Sequence, residues 1–170
     1  MTAQLDDTDR KILDLLQREA RMTNAAIAAQ VGLTAPSVFE RIRKLEQRGV
    51  IQGYTILIDS AALGRPMTAF IRITAAFDQR YDKGVQAISQ DPDVLECYNV
   101  AGEDCFILKT KCGSPRDLEQ LLSRIRRRIT VLRSVTMIAL SALKENGPIR
   151  AAVPTPAAIG VGRSRKRQTA

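Results

Sequence analysis

Apolar residues along the first fifty positions recur three and four apart, and after residue 66 they alternate instead. In DDTDRKILDLLQRE (6–19), Asp6 is placed to cap a helix and Asp9 to sit in its first turn. Ile12, Leu15, Leu16 and Ala20 then form one apolar stripe. Arg21, Met22 and Thr23 break that stripe. Thr23 caps a short second helix in which Ile27 and Val31 share a face and Ala25, Ala26, Ala28 and Ala29 permit close packing, until Gly32 ends it. Only Leu33 separates that glycine from Thr34, a good N-cap, and Pro36 falls in the first turn of a third helix, where a missing N–H is harmless. There Val38, Ile42 and Leu45 face inward. Ser37, Glu40, Arg41, Arg43, Lys44 and Arg48 lie on or beside the opposite face, and Gly49 stops the helix.

VIQGYTILID (50–59) is a β-rich run with a glycine break, and LGRP (63–66) is a turn by composition. In MTAFIRITAAF (67–77), Met67, Ala69, Ile71, Ile73, Ala75 and Phe77 alternate with Thr68, Arg72 and Thr74, which predicts a strand. Tyr81, Val85 and Ile88 predict a helix ending at the DPD turn. VLECYNVA (94–101) and CFILKTKC (105–112) are strand-like around a GED connection. Ser114 and Pro115 open another helix, with Leu118, Leu121, Leu122 and Ile125 as its apolar stripe and RIRRR at its end, and VLRSVTMIALSAL (131–143) is the last strand. The order β-α-β-β-α-β from residue 67 is the ferredoxin-like arrangement. The fold class is therefore α+β. It comprises a helix-turn-helix domain (1–50), a β-rich strand and linker (51–66), a ferredoxin-like domain (67–145) and a basic tail (146–170) whose prolines and small residues predict disorder.

Charge sharpens this division. The net charge is +8, but the stretch from Pro148 onward holds five of the 26 basic residues and no acid, so the remainder is only mildly basic. Residues 5–20 carry five acids against three bases, whereas residues 34–53 carry Arg41, Arg43, Lys44 and Arg48 against Glu40 and Glu46. The positive face lies on the helix that a helix-turn-helix presents to DNA. Histidine is absent, which removes the usual general base and the commonest metal ligand, and neither a metal nor a cofactor is expected. Three cysteines without a C-x-x-C pair fit ordinary thiols in a reducing compartment. With no apolar signal core and no membrane-length run, the expectation is a cytoplasmic, nucleoid-associated protein that does not enter a membrane.

LDDTDRKIL, the block VGLTAPSVFERIRKLEQRGVIQGY, the glycine turn at AGED and the βαββαβ order together resemble the leucine-responsive regulatory protein and asparagine synthetase regulator (Lrp/AsnC) family of bacterial and archaeal transcription factors. The likeness covers residues 5 to about 145. It implies a winged or simple helix-turn-helix, a hinge strand, and an effector-sensing domain that also dimerises and often assembles octamers. The DNA-binding candidates are Thr34, Ala35, Pro36, Ser37, Phe39, Glu40, Arg41, Arg43 and Lys44. Solvated surface charge is the alternative for each charged one.

Family members bind a small effector, usually an amino acid, near the loop joining the second and third strands, here Ala101 to Cys105. The resemblance makes Gly102, Glu103, Asp104 and Cys105 effector candidates, with Ser134 and Thr136 as supporting donors. Backbone N–H groups at a glycine turn can hold a carboxylate, and Asp104 an ammonium. Many members carry aspartate where this chain has Cys105. An ordinary hairpin turn is the competing reading of the loop, and a redox role for Cys105 a third. The expected function is a sequence-specific DNA-binding regulator tuned by an amino acid. The alternatives are a nucleoid-architectural protein that wraps DNA without an effector and, disfavoured by the missing histidine, a small cysteine enzyme. RIRRR reads as a solvated helix end, and RSRKR as added nonspecific DNA affinity or flexible decoration.

Overall fold

Asp6 caps helix α1 (Asp7–Arg18): its carboxylate accepts the Asp9 backbone N–H at 2.7 Å, and the Asp9 carboxylate reaches back to the Asp6 N–H at 3.5 Å. This reciprocal capping box holds two of the orphan donors at the start of the helix. The computed structural model describes residues 5–150, so the tail expected to be disordered lies, apart from its first five residues, outside the described residues. Thr23 caps α2 (Asn24–Val31), and Gly32 ends it at φ 71°, a conformation that costs a side-chain-bearing residue about 1 kcal/mol or more. Thr34 then caps α3 (Ala35–Gln47) through the Ser37 N–H. Ile12, Ile27, Ala28 and Val38 form the core of this unit, with Leu15, Leu16, Met22, Val31, Leu33 and Ile42 packed around them. Fully burying each large member stabilises the unit by roughly 2 kcal/mol. The compact unit extends to Thr55 and takes in residues 146–150, where the Gln17 carboxamide accepts the Ile149 N–H at 2.7 Å and donates to its carbonyl at 3.0 Å.

The strand expected within residues 50–59 does not form, and no residue from 51 to 66 belongs to a strand. Strand-forming side chains still need a neighbouring strand in a sheet, and the four-stranded sheet takes in only segments from Met67 onward. Tyr54, Ile56, Leu57 and Ile58 are left exposed, Ile56 at 75%. No β-wing follows α3 among the described residues.

The second unit, Ile56–Glu145, contains β1 (Met67–Ala75), α4 (Tyr81–Ser89), β2 (Val94–Asn99), β3 (Phe106–Cys112), α5 (Pro115–Arg128) and β4 (Val131–Ile138). The strands run β2-β3-β1-β4, every pair antiparallel. Ala69, Ile71, Ile73 and Ala75 alternate into a core with Ile88, Phe106, Leu108, Leu118, Leu121, Ile125 and Ile129. The last strand ends five residues before the expected Leu143, because its pairing with β1 runs out at Ala69 and Ile138.

Helices α4 and α5 approach closely at Gly84, where a Cβ would collide with the Ile129 methyl and the Arg128 carbonyl. The RIRRR run is divided. Arg124 and Arg128 turn toward Asp91, whose buried carboxylate accepts bonds of 3.0, 3.0 and 2.9 Å from them, while Arg126 and Arg127 stay exposed. Asp93 accepts from Arg124 at 2.5 Å and pairs with Arg65.

Candidate functional site

The turn Gly32-Leu33-Thr34 sends α3 away from α2, and the caps at both ends of that turn fix the departure. Val38 and Leu45 are buried, which turns the other side of α3 outward: Thr34, Pro36, Ser37, Phe39, Glu40, Arg43 and Lys44 are exposed, and Ala35 is half-buried. Phe39 is 52% exposed and lines a shallow groove with Leu16, Met22, Ile42, Arg43 and Tyr54, whose hydroxyl donates to Glu46 at 2.8 Å. Lys44 has no ionic partner among the described residues, and Arg43 meets Glu40 only at 3.6 Å with both side chains more than half exposed, a pairing of little energy.

Arg41 differs from its neighbours. It lies three residues after Val38 and four before Leu45, at the margin of the buried stripe. Its Nη1 sits 2.7 Å from Asp6 Oδ2 and 2.7 Å from Asp9 Oδ1. The Asp9 N–H and the Arg41 guanidinium hold the Asp6 carboxyl below the usual carboxylate range, and the two carboxylates push Arg41 further above its own. Among the DNA-binding candidates Arg41 is thus the one whose guanidinium faces α1.

In the loop between β2 and β3, Gly102 takes a φ of 136°, and Gly102 and Glu103 are exposed. Asp104 is buried. Arg72 on β1 grips its Oδ2 through Nε at 2.6 Å and Nη2 at 2.5 Å, and Thr74 donates to the Glu103 carbonyl at 3.2 Å. Cys105 is stitched to β1 as well, its N–H on the Ile73 carbonyl at 2.8 Å and its sulfur accepting from the Ala75 N–H at 3.4 Å. Ser134 and Thr136 pair in register with Ile73 and Ile71, and so share the helix-covered face, whereas Arg72 and the Asp104 it holds belong to the open face. Within one chain these residues therefore do not converge. Ser134 lines a separate depression of about 490 Å³ with Arg80, Arg126, Thr130 and Arg133.

Asp6 and Asp9 read from sequence only as the start of a helix and Arg72 only as a polar strand position, although a signal for each ion pair existed. Arg41 lies at the edge of a core stripe facing an acid-rich helix start, and Arg72 is the only cation within an apolar strand, where a half-buried charge needs a partner. The three cysteines are unpaired thiols, and burial pushes that of Cys97 up, against the reactive-thiolate direction. Among the described residues no cluster of acidic or cysteine side chains has the make-up of a metal site, and no helix is long and apolar enough to cross a membrane.

Residues 5–52 match the family of winged helix-turn-helix DNA-binding domains, and residues 68–149 match the Lrp/AsnC ligand-binding domain. A DNA-binding transcriptional regulator with a separate effector-sensing domain is the class that these two matches define. The chain is 37% identical over 138 residues to the HTH-type transcriptional regulator LrpA of Mycobacterium tuberculosis, covering 81% of this chain and 92% of that one. It is 32% identical over 148 residues to the glutamate uptake regulatory protein of Zymomonas mobilis, covering 86% and 90%. It belongs to the Lrp/AsnC family. Among solved structures, the M. tuberculosis leucine response regulatory protein superposes with a TM-score of 0.74 at 34% identity, over 86% of this chain and all of that one. A Neisseria meningitidis regulator in complex with L-Met shares the fold at a TM-score of 0.80 and 24% identity, over 86% and 96%.

Proposed function

We propose that the outward face of α3 (Ser37, Phe39, Glu40, Arg43 and Lys44, approached through Thr34, Ala35 and Pro36) enters the major groove of double-stranded DNA, and that an amino acid acting at the 102–105 loop modulates this binding. The protein works as a regulator rather than an enzyme, in the cytoplasm at the nucleoid, as a homodimer that builds a larger homo-oligomer such as an octamer. The observation that carries the DNA reading is the state of the cations on α3: Lys44 is exposed with no ionic partner among the described residues and Arg43 is exposed with only a long contact to Glu40, while the opposite stripe is buried. The effector reading is supported by the ligand-binding domain match and by the L-Met held by the Neisseria regulator. Since Asp104 is already engaged by Arg72, Gly102 with its neighbouring N–H groups and the exposed Glu103 remain the groups with which the loop meets a ligand. The open sheet face, with Phe70, Ile107, Val135 and Met137, supports the self-association reading.

The test is a DNA titration of the full-length protein at several salt concentrations, with and without each of the amino acids. Lys44→Ala is expected to weaken binding and to reduce the slope of log affinity against log salt by about one. At least one amino acid is expected to shift the wild-type curve. An unchanged Lys44→Ala curve would move the interface off α3, and indifference to every amino acid would leave a DNA-binding protein without this class of effector.

A further inference from the structure

Arg41 is tied to the first turn of α1 by a closed set of charge-assisted bonds. Asp6 and Asp9 each accept from its Nη1 at 2.7 Å, and the same two carboxylates are fixed to each other's backbone N–H by the capping box. Asp9 is only 7% exposed. Two carboxylates surround one guanidinium, so the cluster carries net negative charge and offers no attraction to a phosphate. Drawing Arg41 away toward DNA would also leave Asp9 a buried, uncompensated charge, a heavy penalty. The remaining contacts of α3 in this unit's core, through Val38 and Ile42, are apolar and without direction. A guanidinium nitrogen shared between two fixed carboxylates is directional.

We infer that Arg41 is a positioning residue: with Asp6 and Asp9 it sets the rotation of α3, and hence which base edges Ser37, Glu40 and Lys44 meet, without touching DNA itself. This rests on α3 being the helix that enters the groove, and the sign of the following measurement is independent of the Lys44→Ala result that tests that reading.

Full-length protein is titrated on a duplex that the wild type selects from a random-sequence pool and on mixed-sequence DNA, at several salt concentrations. Asp9→Asn, and Asp6→Ser, which retains a side chain able to cap α1, are expected to weaken binding to the selected duplex about tenfold, the effect of one misplaced base contact. Binding to mixed sequence falls less, and the salt slope stays the same. Simple electrostatics predicts the opposite sign, because each substitution removes a negative charge from a DNA-binding unit. Unchanged or tighter binding therefore overturns the inference, and a steeper salt slope would make Arg41 a phosphate contact that the acids hold back. Arg41→Met should match Asp9→Asn; a slope lowered by about one would make it a phosphate ligand and overturn the inference equally. Should a single substitution unfold the helices, as read by circular dichroism, the exchange Asp9→Arg with Arg41→Asp decides. A strut predicts that the exchanged pair binds better than Arg41→Asp alone, and a phosphate contact predicts no recovery.

Discussion

Asp91 accepts three hydrogen bonds from Arg124 and Arg128 while its own side chain is 1% exposed. A carboxylate so placed is stable only as the anion, and Arg124 above all holds its pKa below the usual range. The folded value thus lies under the unfolded one of about 3.9. The stabilisation is complete above that pH and is lost as the pH falls through it toward the folded value. Asp91→Asn is expected to lower the stability of the second unit by about 3 kcal/mol at pH 7, since two arginines lose a buried partner. In urea melts, the gap between variant and wild type should narrow below about pH 4, and a gap that persisted there would assign the effect to packing. Arg124 and Arg41 teach the same lesson about reading charge from sequence. Spacing makes Arg41 a DNA-binding candidate and Arg124 part of a solvated helix end, and both are committed to acids more than thirty positions away, a pairing that spacing along one helix cannot reveal.

Helices α4 and α5 meet where Gly84 leaves room for the Ile129 methyl and the Arg128 carbonyl. Gly84→Ala would improve helix propensity by about 1 kcal/mol, but overpacking against a backbone carbonyl costs about 2–3 kcal/mol, and the steric effect wins. The second unit should melt several degrees lower in calorimetry; a rise in melting temperature would mean that the two helices can separate freely. Helix limits were legible because caps are local chemistry: Asp6, Thr23, Thr34 and Ser114 all bond the N–H three residues on, as their types and positions suggested. Strand limits were less so. The apolar run through Leu143 is strand-like throughout, yet its pairing with β1 stops at Ile138 opposite Ala69, and VIQGYTILID has strand composition but joins no sheet among the described residues. Pairing belongs to two segments at once, and only one of them is visible in any window of sequence. For the candidate site, the exposed face of α3 was legible from helical spacing. That Ser134 and Thr136 lie across the sheet from Asp104 depended on strand register, which spacing does not fix.

The four-stranded sheet covers one face with helices and leaves the other with Phe70 between Lys109 on β3 and Met137 on β4, beside a row of Tyr98, Ile107, Arg72 and Val135. A mixed apolar and charged face of this kind is suited to a second copy of itself. Phe70→Lys places another cation beside Lys109 and is expected to shift sedimentation toward the monomer while circular dichroism stays unchanged. Sedimentation identical to wild type would move self-association to another surface. The segment from Tyr54 to Ile58 bears on the same question from the side of biosynthesis. In the self-association proposed above, a newly made chain would display these apolar side chains until a second chain covered them, so productive assembly would race against misassociation with strangers. Chains made side by side on one messenger would win that race most often, which favours oligomers assembled from siblings over mixtures with related regulators in the same cell.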